Sequence, residues 1–123
     1  MPTILVVDDS RAARMLISRA VTSLFPDHDI LSAESGEKAI ETLGAESRSF
    51  DFAILDYNMD GMDGLQLASQ LLVSHPGCPL ILCTANVQKG LASRAAELGV
   101  PVVPKPITKD KIQKITTELG VFK

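Results

Sequence analysis

The sequence predicts a doubly wound α/β domain, a five-stranded parallel sheet with helices on both faces. Five short apolar runs alternate with five amphipathic segments along the 123 residues. Such alternation is typical of parallel strands joined by right-handed helical crossovers. No linker, repeat or low-complexity segment interrupts it, and the length suits one buried core. Residues 1–123 are therefore expected to form one domain.

The first part of the chain predicts two strand–helix pairs. Thr3–Val7 is an uninterrupted β-branched run, typical of a central parallel strand, whereas Asp29–Ala33 is weaker and expected at an edge. Each following segment has apolar residues at helical spacing, a capping side chain before it and a helix-ending residue after it. These helices run from Ser10 to Pro26, with Leu16 and Ile17 inward, and from Ser35 to Gly44, with Ala39 and Ile40 inward; Ala45–Ser49 is a predicted loop.

The rest of the chain predicts three more pairs. Short apolar runs bounded by turn residues are typical of buried strands. The predicted strands are Phe52–Leu55, Pro79–Cys83 and Val100–Val103. The predicted helices are capped by Asp63, Asn86 and Thr108 and end before His75, Gly99 and Gly120.

Composition excludes several classes of function. The net charge of −3 argues against a dedicated nucleic-acid binder, whose surface would be strongly basic. No apolar run approaches the ~20 residues of a membrane span, and no signal peptide is evident, so a cytoplasmic protein is expected. Cys78 and Cys83, five residues apart on an extended segment, are expected to be reduced thiols on opposite faces of the sheet.

Polar residues stand where the strong predicted strands end. They are Asp8 and Asp9, then Asp56, Thr84 and Lys105. Because parallel strands end at one edge of a sheet, and ligands of such folds bind at that edge, these side chains are expected to converge there. The sequence thus predicts a site of three carboxylates, a hydroxyl and an ammonium group.

Three crowded carboxylates need a counter-charge. At an effective dielectric constant near 20, two carboxylates ~4 Å apart repel by several kcal/mol. Lys105 offers one positive charge, and a divalent ion offers two. Oxygen ligands favour Mg²⁺, with Mn²⁺ as an alternative. A carboxylate is also a nucleophile that forms an aspartyl phosphate, so a metal, an ammonium group and backbone amides together point to phosphoryl transfer.

Five short motifs, distributed along nearly the whole chain, carry a family resemblance. They are Val6–Ser10, Ile54–Met59, Met62–Gly64, Leu82–Ala85 and Lys105–Pro106. The chain resembles the receiver domain of two-component response regulators, most closely the stand-alone chemotaxis type. The resemblance implies a flavodoxin-like sheet of order 2-1-3-4-5 and no output domain on this chain.

The resemblance also implies roles for the acidic residues. Asp56 would accept a phosphoryl group from a phosphohistidine on a sensor kinase or a phosphotransfer protein. Asp9, Asp56 and the Asn58 carbonyl would bind Mg²⁺ directly, and Asp8 would act largely through water. The protein would then be a switch and no enzyme, beyond catalysing its own phosphorylation and dephosphorylation.

The remaining implied roles concern the phosphoryl group and its readout. Lys105 and Thr84 would bind its oxygens, and the backbone amides of Asn58 and Ala85 would complete the cradle. A downstream protein would read the change on the fourth helix, last strand and last helix. By the same resemblance, Lys105–Pro106 is a candidate for a cis peptide bond.

The sequence departs from the family pattern at two positions. Asp60 stands where proline is usual, and Val102 where Tyr or Phe is usual. The usual aromatic ring moves inward as the threonine approaches the phosphate, and valine, with its stiff χ1, has no such movement. We therefore expect the switch to be weak or to run through backbone and helix shifts.

Two other functions remain as alternatives. A small Mg²⁺ phosphohydrolase would also use a nucleophilic aspartate, although such enzymes usually have a second acid where this chain has Asn58. A degenerate receiver would dock partners without phosphorylation, and the complete acidic set argues against it.

Overall fold

The computed structural model describes residues 3–45, 49–86 and 89–121. The strands are β1 (Thr3–Val7), β2 (Asp29–Ala33), β3 (Phe52–Asp56), β4 (Leu80–Thr84) and β5 (Val102–Pro104). The helices are α1 (Arg11–Leu24), α2 (Gly36–Ala45), α3 (Gly64–Ser74), α4 (Lys89–Glu97) and α5 (Lys109–Leu119). The strands form one parallel sheet in the order β2-β1-β3-β4-β5, so the predicted class and the implied strand order are confirmed.

Two apolar layers cover the sheet because side chains alternate between its faces along each strand. Ile4 and Val6 of β1 belong to the cluster that packs under α1 and α5. Leu5 and Val7 belong to the cluster under α2, α3 and α4. The central strands are buried on both faces, which explains their uninterrupted apolar runs.

Four predicted helix caps are confirmed. The side chain of each cap accepts a hydrogen bond from the backbone N–H three residues further on, which satisfies a donor that the helix leaves unpaired. These caps are Ser10, Ser35, Asp63 and Thr108. α5 ends, as expected, at Gly120, which adopts the left-handed conformation with φ 70°.

Several boundaries differ from the prediction. β3 includes Asp56, and β5 spans Val102–Pro104 instead of Val100–Val103. α2 continues to Ala45, and residues 46–48 of the predicted loop lie outside the described residues. Residues 87 and 88, between the predicted cap Asn86 and the first described residue of α4, also lie outside them.

Two predicted inward residues point outward. Leu16 is 63% exposed and Ile40 is 36% exposed. Each adjoins a buried residue, Ile17 or Ala39, and consecutive helical residues lie about 100° apart around the axis. The packed stripes of α1 and α2 are therefore narrower than the apolar pattern suggests.

The cysteines lie on opposite faces of the sheet, as predicted. Cys78 packs against the α2–α4 side and Cys83 lies in the α1–α5 cluster, and both thiols are free. Burial raises the pKa of the Cys83 thiol to about 12, so the thiol stays protonated near neutral pH. In the part of the chain that the structure describes, every helix is too short or too polar to traverse a bilayer.

Candidate phosphoacceptor site at the carboxyl edge of the sheet

The site is assembled from the ends of four strands. Asp8 and Lys105 directly follow β1 and β5, while Asp56 and Thr84 are the last residues of β3 and β4. Asp56 stands opposite Cys83 in the β3–β4 ladder, so the two strands end within one residue of each other. The parallel register therefore brings the predicted residues to one edge.

Lys105 joins two buried carboxylates. Its Nζ lies 2.9 Å from Asp8 Oδ2 and 3.0 Å from Asp56 Oδ1. Asp8 is 1% exposed and Asp56 is 4% exposed, whereas a quarter of the Lys105 side chain (25%) reaches solvent. Charges removed from water need a partner close by, and the ammonium group supplies it to both acids.

Asp9 completes an acidic cluster. One carboxylate oxygen from each of Asp8, Asp9 and Asp56 lies within 4.8 Å of the other two. Asp9 is exposed, so the cluster opens to solvent on one side. Oxygen ligands at this spacing with an open side suit a hard divalent cation that keeps several waters, and the residues present fit Mg²⁺ or Mn²⁺.

The electrostatics of the site follow from burial. Burial raises the pKa of Asp56 above its ordinary value; the hydrogen bond from Lys105 lowers it and the negative charge of Asp8 raises it further. Burial by itself would lower the pKa of Lys105, but hydrogen bonds to Asp8 and Asp56 outweigh that effect and raise it. Lys105 therefore remains charged at neutral pH.

Backbone contacts hold Asp8 in place. Its Oδ1 accepts a hydrogen bond from the Ser10 N–H at 2.9 Å, and its N–H donates to the Ala33 carbonyl at 3.2 Å. Arg14 donates from Nη1 to the Asp8 carbonyl oxygen at 2.7 Å. The sequence patterns did not single out Arg14 for this site, although its position four residues after the cap Ser10 puts it on the first turn of α1.

The Thr84 hydroxyl is fully engaged. It donates to the Asn86 carbonyl and accepts from the Asn86 N–H, both at 3.2 Å. Asn58 Nδ2 also donates to it at 3.4 Å. The Lys105 N–H donates to the Thr84 carbonyl at 2.9 Å, which links the ends of β4 and β5. Thr84 thus connects the acidic cluster to the segment that leads into α4.

The other predicted residues lie at the rim. Asn58 and Ala85 are exposed, and Ala85 lines an apolar cavity together with Lys105. The Lys105–Pro106 bond is cis, as the resemblance implies. Asp60 is exposed, and Val102 is half-buried against the α2–α4 side of the core.

Comparison with known proteins gives one consistent result. The family model described as the response regulator receiver domain matches residues 4–117. The transcriptional regulatory protein GlrR of Escherichia coli is 34% identical over 110 residues, which cover 89% of this chain and 24% of that protein. The chain thus spans about a quarter of the length of this relative.

Two solved structures have the same fold. The chemotaxis protein CheY4 of Vibrio cholerae superposes with a TM-score of 0.84 at 21% identity, covering 96% of this chain and 98% of the other. One chain of the CheX–CheY–BeF3–Mg²⁺ complex of Borrelia burgdorferi superposes with a TM-score of 0.85 at 23% identity, covering 98% of this chain and 90% of the other.

Proposed function

Because the chain belongs to the response regulator receiver domain family, we propose that residues 1–123 form a switch phosphorylated on Asp56. Receiver domains accept a phosphoryl group on an aspartate and signal to partner proteins. The observation that supports Asp56 as the acceptor is its location: it ends β3, is almost fully buried, and lies 3.0 Å from Lys105 Nζ inside the acidic cluster.

The proposed reaction is transfer from phosphohistidine. A carboxylate oxygen of Asp56 attacks the phosphorus, the P–N bond breaks, and its electron pair returns to the imidazole nitrogen. Lys105 binds one phosphoryl oxygen and the Thr84 hydroxyl another, while the backbone amides of Asn58 and Ala85 donate to the rest. These donors stabilise the charge that spreads over the phosphoryl oxygens during transfer.

The proposed metal site uses the acidic cluster. Asp9, Asp56 and the Asn58 carbonyl would bind Mg²⁺ or Mn²⁺ directly, and Asp8 largely through water. When bound, the ion neutralises the repulsion among the carboxylates and the incoming phosphoryl group. Lys105 contacts both Asp8 and Asp56 and so holds the two buried carboxylates close to each other.

The proposed partners are a phosphodonor and a downstream protein. The donor is a sensor histidine kinase or a histidine phosphotransfer protein in the cytoplasm, a compartment in which free thiols such as Cys78 and Cys83 persist. The downstream partner would bind the face formed by α4, β5 and α5. In this proposal the protein acts as a switch, and the reactions it would catalyse are the phosphorylation and dephosphorylation of its own Asp56.

The test is phosphorylation by a small donor. Acetyl phosphate is added, with and without Mg²⁺, to wild type, Asp56→Asn and Asp60→Asn. Intact-protein mass spectrometry then measures the mass of each protein. We expect a mass gain of one phosphoryl group, dependent on Mg²⁺, in wild type and Asp60→Asn but not in Asp56→Asn. An unlabelled wild type would favour a degenerate receiver, and labelling of Asp56→Asn would contradict the assignment of the acceptor.

A further inference from the structure

A hydrogen bond ties the residue after the proposed acceptor to α4. Arg94 Nη2 donates to the Tyr57 hydroxyl oxygen at 3.2 Å, across 37 positions in sequence. Arg94 Nε also donates to the Gly90 carbonyl one turn earlier, at 3.3 Å, which orients the side chain along the helix. Tyr57 is the one tyrosine of the chain.

The backbone of Tyr57 is anchored to the sheet. Its N–H donates to the Cys83 carbonyl at 2.8 Å, and its carbonyl accepts from the Gly64 N–H at 3.0 Å. The half-buried side chain packs against the same apolar cluster as Leu91 and Ala95 of α4. The sheet therefore holds the Tyr57 backbone in place, and the Tyr57 side chain contacts α4 from this position.

A second contact restrains the segment that leads into α4. The Thr84 hydroxyl donates to the Asn86 carbonyl and accepts from its N–H. To donate to a phosphoryl oxygen on Asp56, this hydroxyl has to give up its bond to the Asn86 carbonyl. Asn86 then keeps only one of its two hydrogen bonds to the Thr84 hydroxyl, while Arg94 still bonds α4 to Tyr57.

We propose that the Tyr57–Arg94 hydrogen bond is a resting-state latch, which holds α4 in place and opposes the conformational change that follows phosphorylation. This inference rests on the proposed function of Asp56. A contact made in only one of two conformations favours that conformation by its own free energy. Val102 stands where the family usually has an aromatic residue, whereas the aromatic side chain of Tyr57, next to Asp56, contacts α4 through Arg94.

The test compares beryllofluoride affinity in saturating Mg²⁺ among wild type, Tyr57→Phe, Arg94→Gln and the double variant. Tyr57→Phe removes only the hydroxyl group and leaves the charge unchanged. The matched control for Arg94→Gln is Arg19→Gln. It also removes an exposed arginine, but from α1 and not from α4. We expect each single variant to bind beryllofluoride about threefold more tightly, the order expected for loss of one exposed hydrogen bond.

The double variant provides the stricter criterion. Both substitutions remove the same contact, so the double variant should bind no more tightly than either single variant. The control should bind like wild type. Unchanged or weaker binding in the single variants, or about ninefold tighter binding in the double variant, would overturn the proposal.

A second measurement separates failure of the latch from failure of the acceptor assignment. Hydrogen exchange of the Leu91 and Ala95 amides, without Mg²⁺ or beryllofluoride, should be faster in both single variants than in wild type and Arg19→Gln. A wild type that bound no beryllofluoride would contradict the proposed function, and the exchange rates alone would then test whether the hydrogen bond holds α4. Unchanged exchange in Tyr57→Phe and Arg94→Gln would contradict the proposed latch.

Discussion

Gly64 packs directly against the backbone of Asp56. A Cβ on Gly64 would lie 2.2 Å from the Asp56 carbonyl oxygen and 2.7 Å from Leu82 Cδ1. Gly64 is buried and is the first residue of α3, and its N–H donates to the Tyr57 carbonyl. Only a residue without a side chain allows α3 to begin this close to the end of β3.

Gly64→Ala should therefore destabilise the protein by about 2 kcal/mol, because the backbone of β3 or the start of α3 must move. Gly44→Ala is the matched control, since a Cβ there meets nothing within 4 Å. At this open helical position alanine should raise the free energy of unfolding by roughly 0.5 kcal/mol. Urea denaturation of both variants checks the prediction, and equal stability of the two would contradict the steric explanation.

Asp56→Asn should be more stable than wild type at neutral pH when divalent metal is removed. Burial raises the pKa of Asp56, so the folded protein retains this proton to a higher pH than the unfolded chain. The free energy of unfolding therefore falls as the pH rises from the ordinary pKa to the raised pKa of Asp56, and the full loss persists above the raised pKa. The advantage of Asp56→Asn should shrink as the pH falls from the raised pKa to the ordinary value, and it should vanish below the ordinary value, where the carboxyl group is protonated in both states.

Urea midpoints measured in chelator across the acidic to neutral range test this dependence. Asp60→Asn, at an exposed carboxylate in the same loop, should follow the wild-type curve. If Asp56→Asn were less stable than wild type at neutral pH, the ion pair with Lys105 would stabilise the folded protein by more than the burial of the Asp56 charge destabilises it.

Lys105→Ala should lower the free energy of unfolding by about 2 kcal/mol in metal-free buffer. The substitution leaves Asp8 and Asp56 buried without their counter-charge, and partial exposure of Lys105 moderates the usual loss for a broken buried pair. Added Mg²⁺ should raise the melting temperature of Lys105→Ala more than that of wild type, since the ion then supplies the missing charge.

Lys114→Ala, at an exposed position of α5, is the control for loss of a lysine and should respond to Mg²⁺ like wild type. Thermal melts with and without Mg²⁺ measure both effects. If Mg²⁺ stabilised Lys105→Ala less than wild type, the acidic cluster would not be the metal site.

Thr84→Val should lower the free energy of unfolding by about 1 kcal/mol, because the buried hydroxyl group bonds both backbone groups of Asn86. Valine keeps the shape of threonine and removes only the hydroxyl group. Thr84→Ser keeps the hydroxyl group, so it should retain beryllofluoride affinity that Thr84→Val loses. Calorimetric titration of both variants gives the comparison, and equal affinities would exclude a bond from Thr84 to the phosphoryl group.

Much of the fold followed from local chemistry in the sequence. The caps Ser10, Ser35, Asp63 and Thr108 each act through a backbone N–H three residues away, so local sequence predicts them. The uninterrupted apolar runs indicated strands buried on both faces. Convergence of the strand-end residues then followed from parallel connectivity alone, because such strands end at one edge.

Tertiary structure decided which side chains meet at that edge. The order of the strands and the way α1 and α4 pack on the sheet set the bonds of Lys105 to Asp8 and Asp56, of Arg14 to the Asp8 carbonyl, and of Arg94 to Tyr57. The same packing leaves Leu16 exposed and places β5 at Val102–Pro104 instead of the predicted Val100–Val103. These outcomes depend on angstrom-scale distances between packed elements, and spacing along the chain carries no such information.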